Sequence, residues 1–470
     1  MYYLLPFRFG QISGRELLVN EAGDYLVVPD GTVEKIITKQ ITPTDSIYKD
    51  LIANWFVSDN PLPYLIDNYA ARLRTKKAFL DSFTALHIFV LTLRCNQNCV
   101  YCQASSQEKE CPVNYDMSKD AIRYAVDLMF KSPSQHITME FQGGESTLVP
   151  HLLKYAIETA EAINKTKNKD ITYVLCTNCV AISDEILELC EKYSIVISTS
   201  LDGFEKLHNT NRGKKNSYRQ TLAGIEKCRQ KLGADKVSAL MTTSETSLQY
   251  PKEIVDAYRD NGFHNIFIRA LNPYGLAASN DNWDIYYNGF VEFYKQTLDY
   301  IFEINKQGEC FVEEFTALIL RKILTPFSTG FVDLQSPAGI INSVVVYNYD
   351  GYVYASDESR MLAEFGDNTF RLGSVKDSYE SLFYGIKSQE LAKIWAAEAI
   401  AGCSDCVFQV YCGADPVRNY STQGDPYGHR PTSWFCKKHK AIIEHIFELL
   451  IDRGDEVLPI FRNWLARTQG

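Results

Sequence analysis

The sequence predicts an α/β protein centred on a partial (β/α)6, TIM-like barrel. Strand-like apolar runs alternate with helical patterns from residue 85 to about residue 308, which is typical of a parallel sheet covered by helices. No Rossmann glycine fingerprint accompanies these runs, so a barrel or an open partial barrel is favoured. Helical patterns lie between the runs, at Lys119–Lys131, Ser183–Tyr193 and Lys252–Asn261. The six runs are His87–Arg94, His136–Gln142, Ile171–Thr177, Val196–Leu201, Lys236–Thr242 and Asn265–Leu271.

Two further regions flank this central one and complete the predicted domains 1–84, 85–308 and 309–470. Residues 1–84 read as a small α+β module, with strands at Tyr2–Phe9, Glu16–Asn20 and Asp24–Val28 and helices near Ser46–Phe56 and Tyr64–Leu80. Residues 309–470 carry a second group of cysteines. They end in a predicted helix, Thr432–Arg453, whose core-facing positions are Ile442, Ile443, Ile446 and Leu449.

Composition excludes several classes of protein. The net charge of −10, from 48 basic and 58 acidic residues, disfavours a nucleic-acid partner. No apolar run is long enough to span a membrane, and the N-terminus lacks the pattern of a secretion signal. The 13 cysteines fall largely into two tight groups. Reduced, metal-binding thiolates in the cytoplasm therefore explain them better than disulfides.

The first group is Cys95, Cys99 and Cys102, spaced C-x3-C-x2-C directly after the first strand-like run. Three thiolates on one loop can hold three irons of a cubane cluster, which leaves the fourth iron open to a small molecule. Zinc ligands and buried thiols are the alternatives. Zinc knuckles usually pair C-x2-C units, and none lies nearby. The preceding strand and the aromatic Tyr101 also favour the cluster.

This triplet resembles the signature of the radical S-adenosylmethionine (SAM) enzymes. The resemblance implies that the amino and carboxylate groups of SAM chelate the open iron. It also implies that SAM is cleaved to methionine and a 5′-deoxyadenosyl radical, which abstracts a hydrogen atom from the substrate. Because the sites of such folds lie at the carboxyl ends of the strands, the residues that follow each predicted strand become candidate SAM contacts.

Several strand-end residues match the family pattern. Gly143-Gly144-Glu145 is assigned to the SAM amino group, Ser200 and Asp202 to the ribose, and Arg212 to the carboxylate. Ser200 and Asp202 could instead cap a helix. The cofactor-binding residues implied by the resemblance are Tyr101, Gly143, Gly144, Glu145, Asn178, Ser200, Asp202, Arg212 and Arg269, where Arg269 could equally contact substrate or form a plain salt bridge.

The second group, Cys403, Cys406, Cys412 and Cys436, resembles the SPASM extension of peptide-modifying radical SAM enzymes. A full SPASM domain has seven cysteines and holds two auxiliary cubanes. Here the three positions Ala338, Ser356 and Pro416 lack cysteine, and all belong to the same cluster. The resemblance therefore implies one auxiliary cubane with four protein ligands and no open iron. Structural zinc is the alternative.

Asp357 follows Ser356 at a point where some relatives place the carboxylate that deprotonates the substrate radical. We therefore predict Asp357 as the general base, with a surface carboxylate as the alternative. Cys176 and Cys179 flank Thr177-Asn178 near the predicted site. Strand burial is the favoured interpretation of Cys176, and exposure to substrate is the alternative.

Longer matches resemble the B-type maturase of His-Xaa-Ser peptide systems. They include residues 4–9 (Leu-Leu-Pro-Phe-Arg-Phe), 347–351 (Tyr-Asn-Tyr-Asp-Gly), 360–364 (Arg-Met-Leu-Ala-Glu) and 412–416 (Cys-Gly-Ala-Asp-Pro). The resemblance implies modification of a ribosomally made precursor peptide, with a paired radical SAM maturase and a reductant such as flavodoxin or ferredoxin as partners. A crosslink between side chains is our hypothesis for the modification. The alternatives are a sulfatase-type or other protein-modifying maturase and a non-catalytic iron–sulfur electron carrier.

The N-terminal module has two interpretations. It could be a winged helix that pairs a sheet edge with a leader peptide by β-augmentation, as in many peptide maturases. It could equally be a structural cap.

Overall fold

The computed structural model describes residues 2–61, 63–279 and 282–467. Its strands are β1 (Tyr3–Leu4), β2 (Phe7–Ile12), β3 (Arg15–Asn20), β4 (Tyr25–Pro29), β5 (Val57–Ser58), β6 (Leu86–Thr92), β7 (Arg94–Cys95), β8 (Gln107–Glu108), β9 (His136–Gly143), β10 (Asp170–Cys176), β11 (Val196–Ser200), β12 (Val237–Leu240), β13 (Asn265–Ile266), β14 (Val312–Glu313), β15 (Val344–Tyr347), β16 (Tyr352–Tyr354) and β17 (Arg371–Ser374).

Helices cover the sheet and fill the C-terminal part of the chain. They are α1 (Thr32–Ile37), α2 (Tyr48–Ala53), α3 (Pro63–Lys76), α4 (Lys119–Phe130), α5 (Pro150–Lys167), α6 (Asp184–Lys192), α7 (Glu205–Arg212), α8 (Ser217–Leu232), α9 (Pro251–Asp260), α10 (Trp283–Lys306), α11 (Glu314–Leu324), α12 (Asp357–Ala363), α13 (Tyr379–Tyr384), α14 (Ile386–Ala392), α15 (Pro416–Gln423), α16 (Trp434–Asp452) and α17 (Gly454–Arg467). None of the described helices is both long and apolar enough to cross a membrane.

The main sheet confirms the predicted α/β class. Its order is β12-β11-β10-β9-β6-β15-β16-β17, and the strands from β12 to β15 are all parallel. The first five predicted strands coincide with β6, β9, β10, β11 and β12 to within a few residues. Helices such as α4 and α6 connect them, and Ser118 and Ser183 cap these two helices by accepting backbone N–H bonds. The carboxyl ends of the strands therefore converge on one edge of the barrel.

The sixth predicted strand, Asn265–Leu271, differs from expectation. Only β13 is regular, and it pairs with β14 rather than with the main sheet, which this segment joins by a single bridge between Thr243 and Ala270. The Glu313 carboxylate accepts the Ile268 N–H at 3.1 Å, so a side chain takes a hydrogen bond that a neighbouring strand would otherwise take. On the other side of β6, the sheet is extended by β15 from the C-terminal region.

The C-terminal region shares the apolar core of the barrel, and the N-terminal region contributes a few residues to it beside a smaller core of its own. Ile12 and Leu17 of the three-stranded β2-β3-β4 sheet belong to the barrel core, and the Tyr411 hydroxyl donates to the Gly23 carbonyl at 3.0 Å. The four core-facing residues predicted on the last helix are buried in α16. β15, which follows the predicted boundary at residue 308, pairs with β6, so the main sheet contains strands from both sides of that boundary.

Candidate active site

A cavity of about 580 Å³ opens at the carboxyl ends of the parallel strands. It brings together most of the residues predicted from the sequence, although they come from segments far apart in the chain. Asp202 lies outside the lining residues and is fully buried. The predicted residues in the cavity wall are Cys95, Cys99, Tyr101, Cys102, Gly143, Gly144, Glu145, Asn178, Ser200, Arg212, Arg269 and Asp357.

The cysteine loop is held tightly by its neighbours. The Val100 N–H donates to the Asn211 carbonyl at 2.9 Å, and the Cys102 carbonyl accepts the Leu276 N–H at 2.9 Å. Two glycines allow this approach. A Cβ atom at Gly213 would stand 2.3 Å from the Asn98 carbonyl oxygen, and one at Gly275 would stand 2.3 Å from the Cys102 carbonyl oxygen. The loop is therefore positioned by backbone contacts that larger residues would break.

The chemistry of the three thiols fits a cationic cluster. Burial raises the pKa of Cys95 to about 12 and also raises the pKa of Cys99, although Arg212 opposes the second shift. Such thiols stay protonated unless a positive group stabilises their thiolates, and bound metal does this. Within residues 2–61, 63–279 and 282–467, no three His, Cys, Asp or Glu side chains converge on a position for one metal ion. A cubane differs from zinc in this respect, because its thiolates bind separate irons.

The Gly-Gly-Glu turn brings the end of β9 against the cysteine loop. Gly143 has a φ of +121°, and a Cβ at Gly144 would lie 2.3 Å from the Arg94 carbonyl oxygen, so both positions require glycine. The Glu145 carboxylate accepts the Asn178 N–H at 2.8 Å and the hydroxyls of Thr177 and Thr147, both at 2.7 Å. It thus joins the ends of β9 and β10 while remaining in the cavity wall.

Asp202 lies at the centre of a buried network behind the cavity. Arg212 donates to it from Nε at 3.0 Å and from Nη2 at 2.8 Å, and the Tyr101 hydroxyl donates at 2.6 Å. Burial alone would raise the pKa of Asp202, but the charge of Arg212 holds it below its usual value. Arg212 Nη1 lies 3.8 Å from Cys99 Sγ, so the network continues to the cysteine loop.

Ser200 and Asp202, both predicted as ribose contacts, occupy different environments in the structure. Ser200 lines the cavity and is half-buried, whereas Asp202 is withdrawn behind it and already saturated with donors. Both carboxylate oxygens of Asp202 already accept hydrogen bonds from protein donors, so neither is free in this arrangement for the predicted ribose contact. Helix capping does not explain Asp202 either, since Phe204 stands at the N-cap of α7 without a side-chain bond.

Asp357 and Glu358 begin helix α12 at the cavity wall. Ser356 caps this helix, accepting the Ser359 N–H at 3.3 Å. Asp357 accepts two bonds from Arg360, from Nε at 3.1 Å and from Nη2 at 2.9 Å. Asp357 is thus at the predicted place, and its carboxylate is engaged in an ion pair.

Sequence reasoning missed Glu140 and misjudged Cys176. Both line the cavity, and Cys176 Sγ lies 3.6 Å from Glu140 Oε1. Strand burial was therefore the wrong preference for Cys176, whose side chain faces the cavity from the end of β10. Glu140 and Gln142 both point to the cavity from β9, and the two-residue period of a strand would have identified them. Cys179, by contrast, is buried beside Cys228.

The second cysteine group lies together in the C-terminal region. Burial raises the pKa values of Cys403 and Cys436, and the nearby Cys406 adds to both shifts while Arg430 opposes them. Burial also raises the pKa of Cys412 to about 12. Arg430 Nη1 lies 3.7 Å from Cys403 Sγ. These four thiols could hold an auxiliary cluster.

The three positions without cysteine are occupied by ordinary structure. Ala338 is buried, Ser356 caps α12, and Pro416 begins α15. Asp415 caps α15 by accepting the Arg418 N–H at 2.9 Å. At two of the three positions, Ser356 and Pro416, the chain therefore begins a helix instead of providing a cysteine.

Both the sequence and the fold are similar to those of known proteins. The model of the Radical SAM superfamily matches residues 89–257. The cysteine-type anaerobic sulfatase-maturating enzyme of Clostridium novyi (strain NT) is 27% identical over 139 residues, which are 28% of this chain and 37% of that protein. The chain thus spans less than half of that relative, and its similarity concerns the domain rather than the whole protein.

Two solved structures share the fold at low identity. Native anSMEcpe with bound AdoMet and Cp18Cys peptide has a TM-score of 0.64 and 18% identity, covering 79% of this chain and 99% of that one. Streptococcus suis SuiB bound to precursor peptide SuiA has a TM-score of 0.53 and 13% identity, covering 93% and 100%. The cysteine triplet and most of the strand-end residues lie within residues 89–257, the part of this chain that matches the Radical SAM superfamily.

Proposed function

We propose that this protein is a radical SAM enzyme that modifies, by crosslinking, side chains of a ribosomally synthesised precursor peptide. The observation that carries the proposal is the cavity. It combines the three thiols Cys95, Cys99 and Cys102 with strand-end residues expected to bind SAM. The similar fold of SuiB, which was solved with a precursor peptide, supports a peptide substrate.

The residues present fit the group that this activity needs. Cys95, Cys99 and Cys102 would hold a [4Fe-4S] cluster, which in this family supplies one-electron cleavage of SAM. Cys403, Cys406, Cys412 and Cys436 would hold the auxiliary cluster. Glu145 braces the Gly-Gly turn on which the SAM amino group would rest, and Ser200 presents a hydroxyl to the cavity.

Arg212 has two tasks in this proposal. Its Nε and Nη2 are bound to Asp202, which fixes the guanidinium, while Nη1 remains directed to the cysteine loop and the cavity. The SAM carboxylate would be received by that third nitrogen. Asp202 would then act on SAM through Arg212 and Tyr101 rather than through the ribose.

The test is anaerobic reconstitution with iron and sulfide, followed by SAM and a reductant. We expect 5′-deoxyadenosine, and we expect a co-expressed precursor peptide to lose two hydrogens for each crosslink by mass spectrometry. Absence of 5′-deoxyadenosine from the wild type would favour the electron-carrier alternative. A different mass shift would remove the crosslink while leaving the radical SAM assignment.

A sulfatase-type maturase is the second candidate, because the Clostridium novyi sulfatase-maturating enzyme matches part of the chain. The two candidates differ in substrate. Incubation with a sulfatase-derived cysteine peptide and, separately, with a short precursor from a neighbouring reading frame would separate them. We expect a mass change only in the precursor.

A further inference from the structure

The predicted general base, Asp357, is engaged by a buried cation. The Asp357–Arg360 pair has side-chain exposures of 17% and 1%, and Arg360 Nη1 also donates to the Ala104 carbonyl at 3.1 Å. Ala104 lies two residues beyond Cys102 in the cysteine loop. The pair therefore connects helix α12 to that loop.

Glu358, the next residue, is placed differently. It lines both the large cavity and a second, smaller cavity of about 40 Å³ behind the wall. Within the described part of the chain its side chain makes no hydrogen bond or ion pair to another side chain. The smaller cavity, which we call the side chamber, is large enough to hold water. Glu358 thus lies between the large cavity, where the substrate would bind, and the side chamber.

Charged groups line part of the side chamber, and apolar residues such as Phe315 and Phe435 line the rest. Burial, followed by the charges of Asp333, Asp415 and Asp357, raises the pKa of Glu358 to about 7. The other chamber-lining groups that carry charge or titrate are Arg269 from the segment after β13, Arg418 from α15, and Lys438 and His439 from α16.

Lys438 supplies a second and independent observation. Its exposure is only 9%, and it lines the chamber without a hydrogen bond or an ion pair to any described residue. Burial, followed by the charge of Arg418, lowers the pKa of Lys438 to about 7. A buried amino group without a direct partner requires water or a ligand nearby, and the chamber has room for water.

The side chamber lies beside positions from which cluster ligands are absent. Glu358 is two residues beyond Ser356, and Asp415 directly precedes Pro416. Ionisable side chains and space for water are present here, where the SPASM resemblance places the second auxiliary cluster.

We propose that Glu358, rather than Asp357, accepts the proton from the peptide substrate and passes it to water in the side chamber. This inference rests on the proposed function. In the step, the Glu358 carboxylate takes the proton of a substrate N–H or O–H, and the bonding electron pair stays on the nitrogen or oxygen. The resulting carboxylic acid then gives the proton to chamber water. Asp357 is a positioning residue that acts through Arg360.

The first test compares Glu358→Gln with Asp357→Asn and with Glu364→Gln, a control at the end of the same helix and outside the cavity wall. We expect Glu358→Gln to keep forming 5′-deoxyadenosine while the yield of modified peptide falls about 100-fold, the usual scale of a general base. Glu364→Gln should resemble the wild type. Modified peptide from Glu358→Gln at the wild-type rate would overturn the proposal.

The pH profile gives a readout that a structural role would not move. Because a carboxylate must be ionised to accept a proton, peptide modification by the wild type should fall as the pH drops through about 7. Asp333→Asn removes a neighbouring negative charge and should therefore lower the pKa of Glu358. The fall in peptide modification should then occur at a lower pH than in the wild type. The assignment would be contradicted if the fall in activity of Asp333→Asn occurred at the same pH as in the wild type. It would also be contradicted if this fall disappeared in Asp357→Asn but remained in Glu358→Gln.

A spectroscopic measurement is independent of turnover. Burial also raises the pKa of Glu314 to about 7, so infrared difference spectra of the protein without substrate should show a carboxylic acid band to which both residues contribute near neutral pH. Glu358→Gln should remove one part of this band and leave the part from Glu314. If the wild type forms no 5′-deoxyadenosine, the proposed function fails. If it modifies peptide and the band is unchanged in Glu358→Gln, only the role of Glu358 fails.

Discussion

Replacement of Arg212 by methionine should destabilise the protein strongly, because it leaves Asp202 as an uncompensated buried charge. The exposures of the two side chains are 8% and 0%, so water cannot screen the change. Removing one partner of such a pair typically costs about 3–5 kcal/mol. The Tyr101 hydroxyl and the Thr242 N–H, at 2.6 and 3.3 Å, continue to donate to Asp202. We therefore expect about 3 kcal/mol, a large share of the roughly 5–15 kcal/mol that stabilises a typical folded protein.

The matched control is Arg219→Met on the neighbouring helix. Arg219 pairs with Glu205 at 2.8 Å, but the side chains are 76% and 43% exposed. An exposed pair of this kind contributes about 0–1 kcal/mol. Both variants should be compared by anaerobic denaturant unfolding at equal iron content. The double variant Arg212→Met/Asp202→Asn should recover part of the loss, since the orphaned charge is removed.

The reasoning would be refuted if Arg212→Met lowered the free energy of unfolding no more than Arg219→Met. In that case the buried network would not hold the end of β11 to the cysteine loop. A loss of stability without recovery in the double variant would show that packing of the arginine, rather than its charge, is responsible.

Four further outcomes are expected. Gly144→Ala should abolish iron loading, because its Cβ would lie 2.3 Å from a backbone oxygen, whereas Gly454→Ala meets only an ordinary contact and should load normally. Cys436→Ala should lower the iron content from about eight to about four atoms per chain. Since burial lowers the pKa of His208 to about 4, the contribution of His208 to stability should fall by roughly 3 kcal/mol as the pH drops from about 6.5 to about 4, which denaturation of the wild type and of His208→Gln at both pH values would measure. Leader-peptide binding should slow hydrogen exchange in Tyr25–Pro29, an edge strand of the N-terminal sheet, and binding without protection there would favour the structural cap.

The sequence was sufficient to predict where the site lies. The parallel strands place their carboxyl ends at one edge, so the residues following β6, β9, β10 and β11 had to approach one another. The cavity accordingly collects the cysteine triplet, the Gly-Gly-Glu turn, Asn178 and Ser200. This part of the prediction required only the order of strands and the position of each motif after its strand.

The sequence could not tell which polar groups face a ligand and which bind each other. Asp202 and Ser200 are two residues apart, yet one is buried against Arg212 and the other lines the cavity. Asp357 meets Arg360 one helical turn later, a contact at i, i+3 spacing that is common in helices and carries no functional signal. Pairing partners depend on side-chain direction, which residue type alone does not determine.

The sequence pattern also could not predict which strands pair when they lie far apart in the chain. The run Asn265–Leu271 resembles a sixth strand, but Glu313 binds the Ile268 N–H, and β15, about 80 residues later, joins the sheet instead. β15 is a four-residue apolar run in the region assigned to the cluster domain. Nothing in its composition distinguishes a strand of that domain from one that extends the main sheet.

The cysteine loop depends on residues beyond the matched domain. The superfamily model ends at residue 257, yet the Leu276 N–H binds the Cys102 carbonyl, and Arg360 binds the Ala104 carbonyl. Arg212 Nη1 lies 3.8 Å from Cys99 Sγ, so the arginines of two Asp–Arg pairs contact the loop. Because one of these pairs belongs to the C-terminal region, residues 89–257 alone cannot fix the loop. The C-terminal region therefore contributes directly to the geometry of the first cluster, whatever the second group of cysteines binds.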